Sequence, residues 1–535
     1  MTASKNLTGG HLIDGKWIKA ADPELHAVNP ATGATLSPAV SEAGLDEVDR
    51  ALSAAVDAQR LIAGRSAEER AELLERIATE LEADSDAIRE RAEAETALPA
   101  ATRLVAELGR TTGQLRMFAT VVRDGSWQDA VIDVGDPARA PAPKPDLRRM
   151  MRPLGPVVVF GASNFPLAFG VAGGDTASAL AAGNAVVAKG HPNHPGTNEL
   201  VAAAILRAIR HCEFPDGLFG LVQGKGVDVG AALVTHPSTA AVGFTGSLRG
   251  GRALYDLAAQ RPRPIPVFAE MGSVNPLVIM PGAIAERSAD IVSGLAGSIT
   301  MGVGQFCTKP GLVLVLDEPE VELFETALAE ALGAAAPGTM LSASLRDGFC
   351  AASDAFVKAG KAKQVLSGVT SAHAGISPRL YSCTSRAWRN HPELQEEAFG
   401  PAALIVRCVD VADLCRTLRH VQGTLTGSVH SAESDESEAV AEVTETLARI
   451  AGRVLANGFP TGVEVCDAMV HGGPYPATTA PGTTSVGSLS IVRYARPVSY
   501  QNMPDERLPP ELQDANPLGL WRRVNGEPSR DPIAR

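Results

Sequence analysis

From residue 157 onward, short apolar runs alternate with helical runs, and this alternation constrains the fold more than any other feature. Residues 157–160, 185–188, 217–222 and 240–244 read as strands. Residues 175–182, 198–211 and 229–235 read as helices between them. A helix placed between consecutive strands carries the chain back to the start of the next, so the strands run parallel under crossover helices. A similar alternation runs from Asn275 to about Thr461. The predicted class is α/β, with two parallel-sheet units.

Length agrees. The chain has 535 residues, more than one hydrophobic core normally supports, so two or more domains are expected. Hydrophobic residues make up 45% and charged residues 20%, as in an ordinary globular protein. The formal net charge of −13 argues against two classes of partner: such a chain attracts neither nucleic acid nor an anionic membrane. An anionic substrate would need a local Arg or Lys to capture it. The 7 cysteines form no CxxC pair, which points to reduced thiols and a cytoplasmic setting. Residues 1–17 lack the apolar segment of a signal peptide. The apolar stretch 157–174 is interrupted by Ser163, Asn164 and Pro166, so it does not read as a membrane span.

Residues 41–118 read as helices. Ser66 followed by Glu69 makes a capping box, and Leu73, Ile77 and Leu81 then recur at a spacing of four. Residues 136–149 are rich in Pro and Ala and read as an extended crossing segment. The tail after Arg493 is polar and Pro-rich, with little periodicity.

Several residues carry chemistry. Cys307 lies among small, flexible neighbours, with Gly302 and Gly304 just before it. A thiol there can act as a nucleophile if it gains thiolate character; the bland alternative is a buried structural cysteine. Glu270 follows an apolar run, 266–269, which predicts a raised pKa and a general base; the alternative is an exposed acid at a strand end. Asn164 follows a strand and can donate to an oxyanion, or simply serve a turn. Gly246 and Ser247 sit in a small-residue turn entering a helix, which suits a pyrophosphate although it is not the GxGxxG pattern; the alternative is an ordinary turn. Lys189 ends a strand, where a lysine can reach a ribose or a phosphate; the alternative is a solvated lysine at a strand end. His191 and His194 have HxxH spacing without further ligands, so no metal site is expected.

In order along the chain, Asn164-Phe165-Pro166, Lys189, 244–247, Glu270-Met271-Gly272, 304–307 and 397–401 resemble the motifs of the aldehyde dehydrogenase superfamily. The tracts 160–169, 173–183, 457–465, 471–478 and 513–517 look most like its NADP-dependent branch that includes alpha-ketoglutaric semialdehyde (2,5-dioxopentanoate) dehydrogenases. The chain departs from the wider family at Met271-Gly272-Ser273 and at 247–251.

The resemblance implies Cys307 as nucleophile, Glu270 as the base that activates water, and Asn164 as oxyanion donor. It places Lys189, Gly246, Ser247, Glu397 and Phe399 on the cofactor, NADP or else NAD, with Lys225 a further cation for the 2′-phosphate. A distal carboxylate on the substrate calls for an Arg, for which Arg110 and Arg116 are candidates, with Phe165 on the substrate side. Surface ion pairs are the competing reading of both arginines. The resemblance further implies a dinucleotide-binding domain from 1–135 and 150–270 and a catalytic domain from 271–480. Residues 136–149 and 481–535 would form an oligomerisation arm and tail, giving a homodimer or a dimer of dimers. A broad aliphatic aldehyde dehydrogenase, or a noncatalytic protein on the same scaffold, are the alternatives.

Overall fold

The computed structural model describes residues 7–20, 24–358 and 360–534. The first sheet has seven strands, in the order Val267–Glu270, Ala241–Thr245, Val157–Phe160, Val186–Lys189, Phe219–Val222, His11–Ile13 and Lys16–Ile18. The first five pair in parallel. The N-terminal pair adds an antiparallel edge. Every residue of the strands at 157–160, 186–189 and 219–222 is buried, which explains their unbroken apolar texture. The covering helices Gly174–Ala181, Pro195–His211 and Val227–Thr235 lie within a few residues of their predicted limits.

Strand order reverses at Val157–Phe160. From there the chain builds outward through Val186–Lys189 and Phe219–Val222 on one side, then returns to add Ala241–Thr245 and Val267–Glu270 on the other. A crevice opens at the carboxyl ends of strands where such a reversal occurs. Phe160 and Thr245 end the two strands that flank it.

The second sheet also has seven strands: Lys363–Leu366, Arg379–Thr384, Ala402–Cys408, Leu312–Leu316, Pro276–Ile279, Thr424–His430 and Ala451–Ala456. All neighbours are parallel except the first pair. Two apolar clusters pack on its opposite faces, one containing Val278 and Leu404, the other Leu277 and Ile405. Alternate side chains along a strand point to opposite faces, which is how neighbours in sequence enter different cores.

Four long helices fill the predicted helical region: Leu45–Leu61, Ala67–Ala83, Ser85–Thr96 and Val105–Asp124. The capping box is present as read, with Glu69 N donating to Ser66 Oγ at 3.2 Å and Ser66 N to Glu69 Oε2 at 2.7 Å.

The polar tail is where structure and sequence reading part. Ala495–Gln501 pairs antiparallel with Leu147–Pro153 over seven residues, inside a five-stranded sheet completed by Val131–Asp133, Arg522–Val524 and Glu527–Ser529. The strand is half solvated, so it lacks the apolar runs that mark buried strands. Arg148, 1% exposed, holds the sheet to the tail through Asp146, Asp514 and the Leu512 carbonyl.

Candidate active site

Glu270 ends the last strand of the first sheet, whereas Asn275 and Cys307 precede strands of the second. The carboxyl end of one sheet therefore meets the amino end of the other, and the predicted nucleophile lies in the join.

The loop that carries Cys307 follows the helix Pro281–Thr300. Gly302, Val303 and Gly304 all have positive φ, at 57°, 58° and 68°. A β-branched residue in this region is strained, and such strain persists only where the surroundings impose it. They do so here: a Cβ on Gly304 would lie 2.3 Å from the Gly400 carbonyl, so the turn is pressed against the Phe399-Gly400-Pro401 segment. Asn275 Nδ2 then donates to the Cys307 carbonyl at 2.8 Å and to the Lys309 carbonyl at 3.0 Å, clamping the loop from its far side. Asn275 enters the sequence reading only as the start of the second alternating stretch. Its only local sign is a single Asn before a strand, and its partners lie 32 and 34 residues away.

Cys307 is half-buried. Burial, the Glu270 carboxylate and Glu397 push its thiol up, and Arg110 only partly offsets them. A base is therefore needed beside it. His471 Nε2 stands 3.5 Å from Cys307 Sγ and 3.0 Å from Glu270 Oε1, between nucleophile and acid. The approach to Glu270 is close but lacks good hydrogen-bond geometry, and His471 Nδ1 has no partner among the described residues. His471 enters the sequence analysis only as part of a family-like tract, because it stands 164 residues from Cys307 and no spacing rule links them.

The apolar run before Glu270 predicts a raised carboxyl; the structure reverses the sign. Burial does push it up, but His471, the Ser485 hydroxyl and Arg493 together pull harder and hold it below its ordinary value. Ser485 Oγ donates to Glu270 Oε2 at 2.5 Å. Glu270 is thus kept as a carboxylate, the form able to accept a proton from water.

Asn164 Nδ2 donates to the Gln305 carbonyl at 2.9 Å, which brings it beside the Cys307 loop. An amide nitrogen has two N–H groups, so one remains for an oxyanion. Phe165 is buried and stacks edge-on against Phe169 and Phe306, with centroids 5.5 and 5.1 Å apart. Val463, Val465 and Met469 complete this apolar wall.

The two candidate arginines separate. Arg110 lies over the Phe169 and Phe165 rings at 5.3 and 5.9 Å, within electrostatic reach of Cys307 and Glu270. Its Nε and Nη2 are buried without a partner among the described residues. Arg116, on the same helix, is spent on the surface in a two-pronged contact with Glu82 at 2.6 and 2.7 Å. The structure does not bring it to the site.

On the crevice side, the residues suit a dinucleotide. Ser247 caps the helix Leu248–Ala259, its Oγ accepting from Gly250 N at 3.2 Å, and leaves the first turn facing outward. A Cβ on Gly246 would strike the Phe244 ring at 2.6 Å, so the turn keeps its backbone open to a phosphate. Burial pushes Lys189 down to about 8, Glu42 partly offsetting it. Glu42 Oε2 accepts from Lys225 N and Gly226 N at 3.1 and 3.2 Å, in a cleft shared with Pro192 and Asn193. Glu397 sits against Gly272, where a Cβ would meet its Oε2 at 2.5 Å. Burial pushes the Glu397 carboxyl up and the Lys309 amine down. Phe399 is half-buried two residues beyond Glu397. His191 and His194 stack on each other with ring centroids 5.4 Å apart, and His194 spends both nitrogens on Asn198 Oδ1 and the Ala162 carbonyl.

Comparison with known proteins agrees with this geometry. Residues 17–474 match the model of the aldehyde dehydrogenase family. The chain is 47% identical over 531 residues to alpha-ketoglutaric semialdehyde dehydrogenase 2 of Azospirillum brasilense, covering 97% of this chain and 99% of that protein. It is 44% identical over 520 residues to alpha-ketoglutaric semialdehyde dehydrogenase of Acinetobacter baylyi, covering 97% and 98%. Among solved structures, a betaine aldehyde dehydrogenase of Staphylococcus aureus in complex with NAD+ superposes with a TM-score of 0.79 at 21% identity, over 94% of this chain and 98% of that one. That likeness shows a common fold. No helix among the described residues is long and apolar enough to cross a membrane. The chain belongs to the aldehyde dehydrogenase family, and is an oxidoreductase that acts on aldehydes with a nicotinamide dinucleotide, NAD or NADP, as acceptor.

Proposed function

We propose that this enzyme oxidises 2,5-dioxopentanoate to 2-oxoglutarate, with NADP as the acceptor. Both near-full-length relatives are named for that semialdehyde. The observation that carries the reading is Arg110, a half-buried arginine whose Nε and Nη2 are buried without a partner among the described residues, within electrostatic reach of Cys307. Buried N–H groups without an acceptor are costly and call for one, and a guanidinium fork fits a carboxylate. The substrate's distal carboxylate answers both needs.

The residues divide the work as follows. His471 Nε2 takes the proton from Cys307, whose sulfur adds to the aldehyde carbon. The second N–H of Asn164 and the Cys307 backbone N–H hold the oxygen as it becomes negative. A bound dinucleotide supplies the hydride acceptor, and Lys189, Gly246, Ser247, Glu397 and Phe399 are the residues that would hold it. Once the substrate carbon has lost its hydride, a thioester remains on Cys307. Glu270 draws a proton from water, the hydroxide displaces the sulfur, and the free acid departs. The 2′-phosphate of NADP would meet Lys189 and Lys225, with Glu42 opposing them.

By the same reading, residues 1–135 and 150–270 hold the dinucleotide and 271–480 present the nucleophile. Residues 136–149 and 481–535 form the arm of a homodimer or a dimer of dimers. Ala495–Gln501 lies at the edge of its sheet, with no strand on its outer side among the described residues, so its outer backbone groups can pair with another chain.

A substrate panel tests the proposal. With either dinucleotide, kcat/KM for 2,5-dioxopentanoate should exceed that for decanal by at least about a hundredfold. Equal values would favour a broad aliphatic enzyme, and a requirement for coenzyme A would contradict the role given to Glu270.

A further inference from the structure

We infer that Cys307, His471 and Glu270 also form a binding site for a thiophilic divalent metal ion such as Zn²⁺, and that its occupation reversibly switches the enzyme off. The inference goes beyond the aldehyde reaction and does not depend on which aldehyde is the substrate.

The three donor atoms lie within 4.8 Å of one another. Ligands held about 2.0–2.3 Å from a tetrahedral zinc stand roughly 3.3–3.6 Å apart. Cys307 Sγ and His471 Nε2 are 3.5 Å apart, already at that spacing. His471 Nε2 and Glu270 Oε1, at 3.0 Å, need to open by only a few tenths of an ångström. Thiolate, imidazole and carboxylate are the zinc donor types, and three protein ligands with a vacant fourth direction make an accessible centre. The site is sheltered, with His471 and Glu270 each 2% exposed. Glu270 is held from behind by Ser485 Oγ at 2.5 Å, and the His471 backbone N–H by Thr484 Oγ1 at 2.9 Å.

Two features keep such a site reversible. Among the described residues, His471 Nδ1 lacks the acceptor that ordinarily orients a zinc-bound imidazole. Arg110 and Arg493 are near enough to act on Cys307 and Glu270, and both oppose an incoming dication. On binding, the Cys307 S–H bond breaks, the sulfur–metal bond forms and the proton leaves to solvent; nothing is oxidised or reduced. The metal then occupies the sulfur that must attack the aldehyde and the carboxylate that must activate water.

Cobalt replaces zinc as the probe. The full-length enzyme carrying Cys466→Ser, which removes the one exposed thiol, is titrated with Co²⁺ under reducing conditions. The expected result is a sulfur-to-cobalt charge-transfer band with tetrahedral visible bands, saturating at one equivalent per chain and bleached by Zn²⁺. Cys307→Ser should abolish the band. His471→Asn and Glu270→Gln should each weaken Co²⁺ binding at least about tenfold, and two such variants guard against misfolding of either. Zn²⁺ should stop aldehyde oxidation, and EDTA should restore it fully. The inference is overturned if no band forms, if the band survives Cys307→Ser, or if neither His471→Asn nor Glu270→Gln alters it. A normal band in an enzyme that oxidises no aldehyde would sink the proposed function and leave the metal site standing.

Discussion

The two ends of this active site are built differently. At the chemical end the reacting groups are fixed by their neighbours: Cys307 by a strained turn and Asn275, Glu270 by Ser485 and His471, Asn164 by the Gln305 carbonyl. Glu270 and His471 are buried there. At the dinucleotide end, Gly246, Ser247 and Lys225 are exposed, and the recognising elements are an open turn and a buried lysine at a strand terminus. Bond-making needs atoms held to a fraction of an ångström, whereas binding a large flexible cofactor tolerates adjustment. Substitutions of the reacting groups at the first end should therefore act on turnover, and those of groups that only bind a ligand, at either end, on Michaelis constants.

The largest effect that sharpens this contrast is at Cys307 and Glu270. Cys307→Ser should lower kcat by at least about a thousandfold. Glu270→Gln should lower it by about 10²–10⁴-fold while leaving a rapid burst of reduced dinucleotide, since only thioester hydrolysis needs the base; stopped-flow absorbance distinguishes the two. Next comes the arginine pair. Arg110→Leu should raise KM for 2,5-dioxopentanoate by roughly thirtyfold or more and spare or improve oxidation of unbranched aliphatic aldehydes. Arg116→Ala should change neither, because it breaks only a surface ion pair. If Arg116→Ala has the larger effect on the acidic substrate, the assignment of the carboxylate is wrong.

The smallest effect belongs to the dinucleotide end and appears as pH dependence. Lys189 is held down to about 8 by burial. Its charge is present below that value and lost above it. KM for the dinucleotide, measured across this range, should therefore rise severalfold as pH passes upward through about 8, and the rise should be absent in Lys189→Met. Lys225→Ala should raise KM for NADP and leave that for NAD nearly unchanged. A fall in kcat with unaltered KM in these variants would erase the contrast between the two ends.

Much of this was legible from sequence where the signal is local. Buried parallel strands are continuously apolar, so the first sheet's core strands and helices appear almost at their true limits. The capping box at Ser66 closes within one turn. Cys307, Glu270 and Asn164 stand in short tracts whose order alone is specific. What escaped depends on distant partners. His471 becomes chemical only because folding lays it between Cys307 and Glu270. The sign of the Glu270 shift follows from the same residue together with Ser485 and Arg493, none of which the apolar run before Glu270 hints at. Ala495–Gln501 is a strand because Leu147–Pro153 lies beside it, and its polar, half-solvated residues carry no imprint of that pairing. Arg110 and Arg116 sit six positions apart on one helix, Val105–Asp124, and only packing decides which faces Cys307 and which meets Glu82.

The central claim is that Cys307 carries the substrate as a thioester which Glu270 then hydrolyses. Acid quenching of the Glu270→Gln enzyme during turnover of 2,5-dioxopentanoate, followed by intact-mass and peptide mapping, tests it directly. The account predicts a 2-oxoglutaryl adduct on the peptide containing Cys307 and on no other cysteine. Sustained turnover without an adduct, or an adduct on exposed Cys466, would contradict it.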